Sequence, residues 1–190
     1  MKQQKYQNNV PSVESANPSN TRKVLLKSWD DVLGKYRYYL LFSLIALIIV
    51  FIFKDFILLK KIYLFKDFGS DSINISYPSY YSLANYIEQE CIPKWLFSQG
   101  MGQNVFPAGL SDPFSLLIIL MGKNLVYYSI FFVELLKIFC AGFFFHLFLK
   151  KINLSDYAAF IGAILYSFSG FVVLGGQWNI FSTQAVYIAL

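Results

Sequence analysis

Two carboxylates, Asp67 and Asp71, stand close together in the stretch LFKDFGSDSINISYPSYY, residues 64–81, directly after the first strongly apolar run of the chain. A carboxylate at a membrane–water boundary is partly desolvated, so it can take a proton from a hydroxyl or hold a divalent cation. Gly69 allows close backbone approach, and the neighbouring Ser, Asn and Tyr residues supply hydrogen bonds. The plainer reading is a pair of solvated loop acids. Further on, SQGMGQN, residues 98–104, carries amides that suit sugar hydroxyls, Gln99, Gln103 and Asn104, and Trp95 before it could stack on a sugar face. No strand is expected before this G-x-G, so it does not read as a nucleotide loop, and a glycine-rich turn is the alternative. In GQWN, residues 176–179, the side chains of Gln177, Trp178 and Asn179 could line a sugar pocket or form an aromatic interface anchor. Lys66 and Lys94 are the local cations for a departing phosphate, or interfacial anchors.

The elements that would carry these residues follow from composition. Of 190 residues, 56% are apolar and only 14% charged, whereas a soluble domain is about a quarter charged. The apolar residues come in long blocks, which is the pattern of a membrane-embedded chain. The net charge of +5 therefore reads as basic flanks that set orientation, not as a nucleic-acid surface. Cys91 and Cys140 lie in different kinds of segment and match no disulfide framework or metal motif. One His and three Met argue against copper or zinc transport. The first apolar block starts near residue 38, too late for a cleaved signal peptide.

The expected fold class is an all-α polytopic membrane protein with a long first external loop. Residues 1–37 should form a disordered, basic cytoplasmic tail, with a short interfacial helix around Val24–Leu33. The apolar run 38–53, extended to about residue 59, is transmembrane helix 1. A loop over 60–125 follows, a length that usually signals function. Inside it, Tyr80, Leu83, Ala84, Ile87 and Cys91 have helical spacing, with Asn85, Glu88 and Gln89 turned away. Ser79 would cap this amphipathic helix, Pro93 would end it, and the membrane surface would take its apolar face. The run 114–122 is too short to span and would re-enter or lie in the interface. Helix 2 covers 126–149 and helix 3 covers 157–175. A fourth begins at about residue 180 and breaks off, so the chain is expected to be the front part of a longer protein.

Glu134 and Lys137 fall on one face of helix 2 at i,i+3, where they can neutralise each other. A structural pair facing other helices and a role in transport are the two readings. His146 lies off that face, near the cytoplasmic end. The small residues of SFSG, 167–170, allow close helix packing. Lys and Arg before helix 1 and at Lys150–Lys151, against a turn at 175–180 that has none, put the N-terminus in the cytoplasm and the 60–125 loop outside the cell.

The segments FKDFGSDSINISYP, IPKWLFSQGMGQNVFP, SDPF and LLKIFCAGFFFHLFLKKINLSDYAAFIGAILYSFSGFVVLGGQWNIFSTQAVYIAL, read in order, resemble the front of the YfhO family of bacterial membrane proteins. The resemblance runs from about residue 38 to the end and rests on the ordered set, not on one motif. It implies a GT-C-like helical bundle in the cell membrane that transfers sugar from a polyprenyl-phosphate carrier to a cell-envelope glycopolymer such as teichoic acid. It further implies an acid soon after helix 1. Asp71 matches that position best and Asp67 second. Families of this type often show an adjacent acid pair there; the D-x-x-x-D of this chain leaves open which acid is the base and whether Mg or Mn is bound. A transporter or permease for a lipid or polymer, and a non-catalytic membrane scaffold, are the alternative functions. Topology mapping tests the orientation that all of this requires: the segment around Asp71 should react with impermeant reagents in intact cells, and labelling from the cytosolic side alone would overturn it.

Overall fold

The computed structural model describes residues 18–64, 71–90, 94–97, 100–105, 112–174 and 179–190, with the side chains of 18–33, Glu90 and Asn179 left aside. The described chain is mostly helical. Its elements are α1 (Pro18–Ile52), α2 (Lys54–Ile57), a π-helical turn (Ser72–Ser76), α3 (Tyr77–Glu90), β1 (Trp95–Leu96), β2 (Gln103–Asn104), α4 (Pro113–Leu120), α5 (Val126–Lys151), α6 (Asp156–Ser167), α7 (Gly170–Val173) and α8 (Asn179–Ala189). Three stretches are long and apolar enough to cross a membrane: Gly34–Ile52, Val126–Lys151 and Asp156–Val173.

α5 is the central helix. Half of its apolar window is buried, against 17% and 22% for the stretches in α1 and α6–α7. It packs on α1, α4, α6 and α8. Gly142 is what lets three of these helices close together. A Cβ there would run into Ser167 Oγ of α6 and come within 2.9 Å of Ile45 of α1. Both neighbours are wholly buried. The small-residue stretch 167–170 does contribute to close packing, through Ser167.

At one end of the bundle Asp156 joins three helices. Its carboxylate accepts from Arg37 of α1 at 3.2 Å and pairs with Lys150 of α5 at 3.1 Å. α5 stops nearby at Asn153, which takes the left-handed conformation (φ +63°) that Asn tolerates well. Leu154 N then donates back to Leu149 O at 3.2 Å. His146, fully buried, packs edge-on against Tyr38. At the other end Phe53, Phe56, Tyr63 and Phe131 form one aromatic cluster. Burial first, and the nearby Glu134 carboxylate second, push the Tyr63 phenol well above its usual range.

Three boundaries differ from the sequence reading. Residues 18–37, expected as a basic tail with only a short interfacial helix around Val24–Leu33, belong to α1, which runs unbroken from Pro18. The first apolar helix ends at Ile52, not near 59, because Phe53 leaves helical geometry (φ −102°, ψ 18°) where the run meets Lys54 and Asp55. Helix 3 is interrupted between Ser167 and Gly170. Ser167 Oγ donates to Ala163 O at 2.9 Å, a back-bond that bends helices, and Ser169 is extended (ψ 151°).

Gly142→Ala should lower stability by about 1–3 kcal/mol through overpacking. Adding Ser167→Ala should restore part of the loss, as read by thermal unfolding in detergent. An unchanged melting temperature in the single variant would refute the close approach.

Candidate functional site

The glycine-rich stretch after Trp95 is the turn of a small β-hairpin. β1 and β2 are antiparallel, with Trp95 opposite Asn104 and Leu96 opposite Gln103. Gly100 (φ +58°) and Gly102 (φ +101°) both occupy left-handed backbone, and the Trp95 indole lies so close over Gly102 that a Cβ would collide with its Nε1. These two requirements explain G-x-G here without any nucleotide. Directly opposed residues of a ladder leave the same face. Trp95 and Asn104 therefore project together, while Leu96 and Val105 are buried in the core. Gln103 and Lys94 are exposed. An indole face beside a carboxamide suits a ring that is apolar on its face and hydroxylated at its edge.

Asp71 is exposed and directly precedes the π-helical turn. Among the described residues its side chain has no ion pair and makes no cap hydrogen bond to the turn. Asp67, Lys66, Gln99, Gln177 and Trp178 lie outside the described residues. Asn179 opens α8, its side chain not described. No group of three or more His, Cys, Asp and Glu able to hold a metal occurs among the described residues.

α3 starts at Tyr77, straight out of the π-helical turn, so Ser79 lies within its first turn and is not its cap; Cys91 and Pro93 fall outside the described residues. Its apolar positions Tyr80, Leu83 and Ala84 are buried, but against α4 and α5, not a membrane surface. Its polar face is also engaged. Glu88 Oε1 accepts from Lys123 N at 3.0 Å, Lys123 Nζ pairs with Glu88 Oε2 at 3.4 Å, and Asn85 Oδ1 accepts from Lys123 Nζ at 2.8 Å. Gly122 (φ +82°) makes room for that carboxylate.

A second polar group forms inside the bundle. Lys137 Nζ donates to Glu134 Oε1 at 2.6 Å and to Ser182 Oγ of α8 at 3.1 Å, and it lies 5.6 Å from the centre of the Phe114 ring of α4. Lys137 is 1% exposed. About 16 Å of helix, at 1.5 Å per residue, separates it from the start of α5 at Val126. α4 thus begins at mid-depth and runs back alongside the first half of α5, ending in the turn that leads to Val126. The half-buried Asp112 caps that start. Its Oδ2 accepts from Ser115 N at 2.9 Å and Ser115 Oγ at 2.8 Å, with Pro113 at the first helical position. Tyr187 of α8 donates to Asp112 Oδ1 at 3.4 Å, and Tyr80 of α3 shares a 3.0 Å hydrogen bond with Ser115 Oγ. The sequence reading assigned Asp112 no role. The pattern Asp-Pro before an apolar run is a helix-start signal that would have marked it.

Comparison of the chain with family models, with curated proteins and with solved structures returned no match.

Removing one member of a buried ion pair strands the other, at about 3–5 kcal/mol. Lys137→Met should show that loss in thermal unfolding, and Lys137→Met with Glu134→Leu should recover most of it. A double variant as unstable as the single one would mean that Lys137 serves partners other than Glu134.

Proposed function

We propose that this chain is part of an integral membrane glycosyltransferase of GT-C type, acting on the outer face of the cell membrane. The N-terminus is cytoplasmic and the 60–125 connection external. The donor is a polyprenyl-phosphate sugar and the acceptor an envelope glycopolymer hydroxyl. The observation that carries the reading is the shared exposed face of Trp95 and Asn104, which fits a pyranose. It belongs to the same connection as the exposed Asp71, between two helices long and apolar enough to span a membrane.

In this reading Asp71, with Asp67 as the other candidate, accepts the proton of the acceptor hydroxyl. The freed oxygen forms a bond to the anomeric carbon, and the bond from that carbon to the carrier phosphate breaks, with inversion. The departing phosphate takes the electron pair, and Lys66 or Lys94 offsets its charge. Gln99, Gln103, Gln177, Trp178 and Asn179 complete the candidate sugar contacts. A divalent cation, Mg or Mn, at the two acids would serve the same phosphate.

One observation favours a second reading, a transporter or permease for a lipid or polymer. Paired charges deep in a bundle, as at Glu134 and Lys137, are typical of coupling sites. The two readings separate cleanly. Asp71→Asn should reduce sugar transfer from a lipid-linked donor by about 100-fold or more, the usual weight of a general base, with Asp67→Asn as the parallel variant. Full transfer in both, at normal protein levels, would sink the catalytic assignment. Loss of substrate flux in the Glu134 and Lys137 double variant, with transfer intact, would favour the transporter.

A further inference from the structure

The tip of the hairpin carries its most exposed apolar side chains. Met101 is fully exposed and Phe97 is 75% exposed, and Trp95 behind them is 46% exposed. The base is different, since Leu96 and Val105 are buried in the core and hold the hairpin against the bundle. From Trp95 to Ser111 no residue is charged, and the run is bracketed by Lys94 and Asp112. On the same connection, Leu117 and Leu120 of α4 and Met121 after it are also exposed.

We propose that the β1–β2 hairpin tip inserts into the interfacial layer of the phospholipid bilayer, with Phe97 and Met101 among the upper acyl chains and Trp95 at headgroup level. The argument is chemical. Phe and Met side chains offer no strong hydrogen bond, and the flexible apolar Met101 presents no ring face to a sugar, so the pair suits acyl chains better than a hydroxylated ligand. An uncharged tip is what desolvation in lipid tolerates, and the flanking Lys94 can reach back to phosphate. Trp is the residue most enriched at that boundary. The turn backbone around Gly100 limits the depth, because unpaired amides and carbonyls are costly in hydrocarbon. The hairpin lies on the connection between two stretches able to span a membrane, Gly34–Ile52 and Val126–Lys151. The inference rests on the membrane reading of those helices and shares Trp95 with the proposed sugar face, so Phe97 and Met101 alone carry it and its test reads positions 97 and 101.

The test uses the full chain in phosphatidylglycerol–phosphatidylethanolamine vesicles, with Cys91 and Cys140 replaced by Ala. An environment-sensitive fluorophore is attached at Met101→Cys or, separately, at Phe97→Cys. Leu47→Cys, exposed in the middle of the apolar part of α1, reports whether the chain spans the bilayer at all. Insertion predicts blue-shifted emission at positions 97 and 101, quenching by lipids brominated high on the acyl chain, and loss of quenching by aqueous iodide. Iodide quenching at both tip positions, with the position 47 label lipid-quenched, overturns the insertion alone. A tip label shielded from both quenchers would mean that protein covers it, which also overturns the proposal. If the position 47 label is not lipid-quenched either, the membrane reading falls with it.

Discussion

An ammonium group in the middle of an apolar helix is the constraint around which this structure is organised. Lys137 cannot stay charged there without partners, because removing it from water costs several kcal/mol even after relaxation. Glu134 is the local answer, one turn back on the same helix and 2.6 Å away. One carboxylate oxygen leaves the other ammonium protons unsatisfied, so the rest must come from other elements. α8 is held at the depth where Ser182 can accept, and α4 must begin where Phe114 can lie close to the charge.

Those demands shape the connection between α1 and α5. Because α4 starts at mid-depth, the chain has to descend into the bundle before it can return to the start of α5. Asp112 makes that descent possible by satisfying the amides at a helix start far from either end of α5, and Tyr187 ties the same carboxylate to α8. α3 then closes over α4 from the side. Glu88 and Asn85 grip the turn at Lys123, which converts an amphipathic helix into a packed one. The hairpin that follows α3 is carried on this framework and anchored by Leu96 and Val105. Its Trp95–Asn104 face and apolar tip are therefore set at defined places, not on a free loop.

Charge is distributed in keeping with this. The interior pair is compensated and buried, and the Asp156 cluster ties α1, α5 and α6 together at one end of the bundle. Asp71 is different. It is exposed and without an ion pair among the described residues. A carboxylate left unpaired costs little only where water reaches it, and it is then available to a substrate. This is why the catalytic proposal rests on Asp71 and the hairpin, and why the buried pair supports the competing transport reading.

Much of this was legible in the residues. Stretches such as 38–53 and 126–149 declare themselves because crossing a membrane takes a minimum run of apolar residues, whatever packs around it. The i,i+3 pairing of Glu134 with Lys137 and the buried face of α3 were equally readable, since helix geometry alone brings those positions together. What the sequence could not decide was which surface each face would meet. α3 has the pattern of a surface helix, and only the presence of α4 and α5 beside it decides otherwise. Composition likewise made residues 18–37 look like a basic tail with only a short separate helix around 24–33, because their continuity with α1 is not written in apolar periodicity. Spacing along one helix is local and fixed by backbone geometry. Partners such as Ser182 for Lys137, or Tyr187 for Asp112, lie many residues away, and tertiary packing alone brings them within hydrogen-bonding distance.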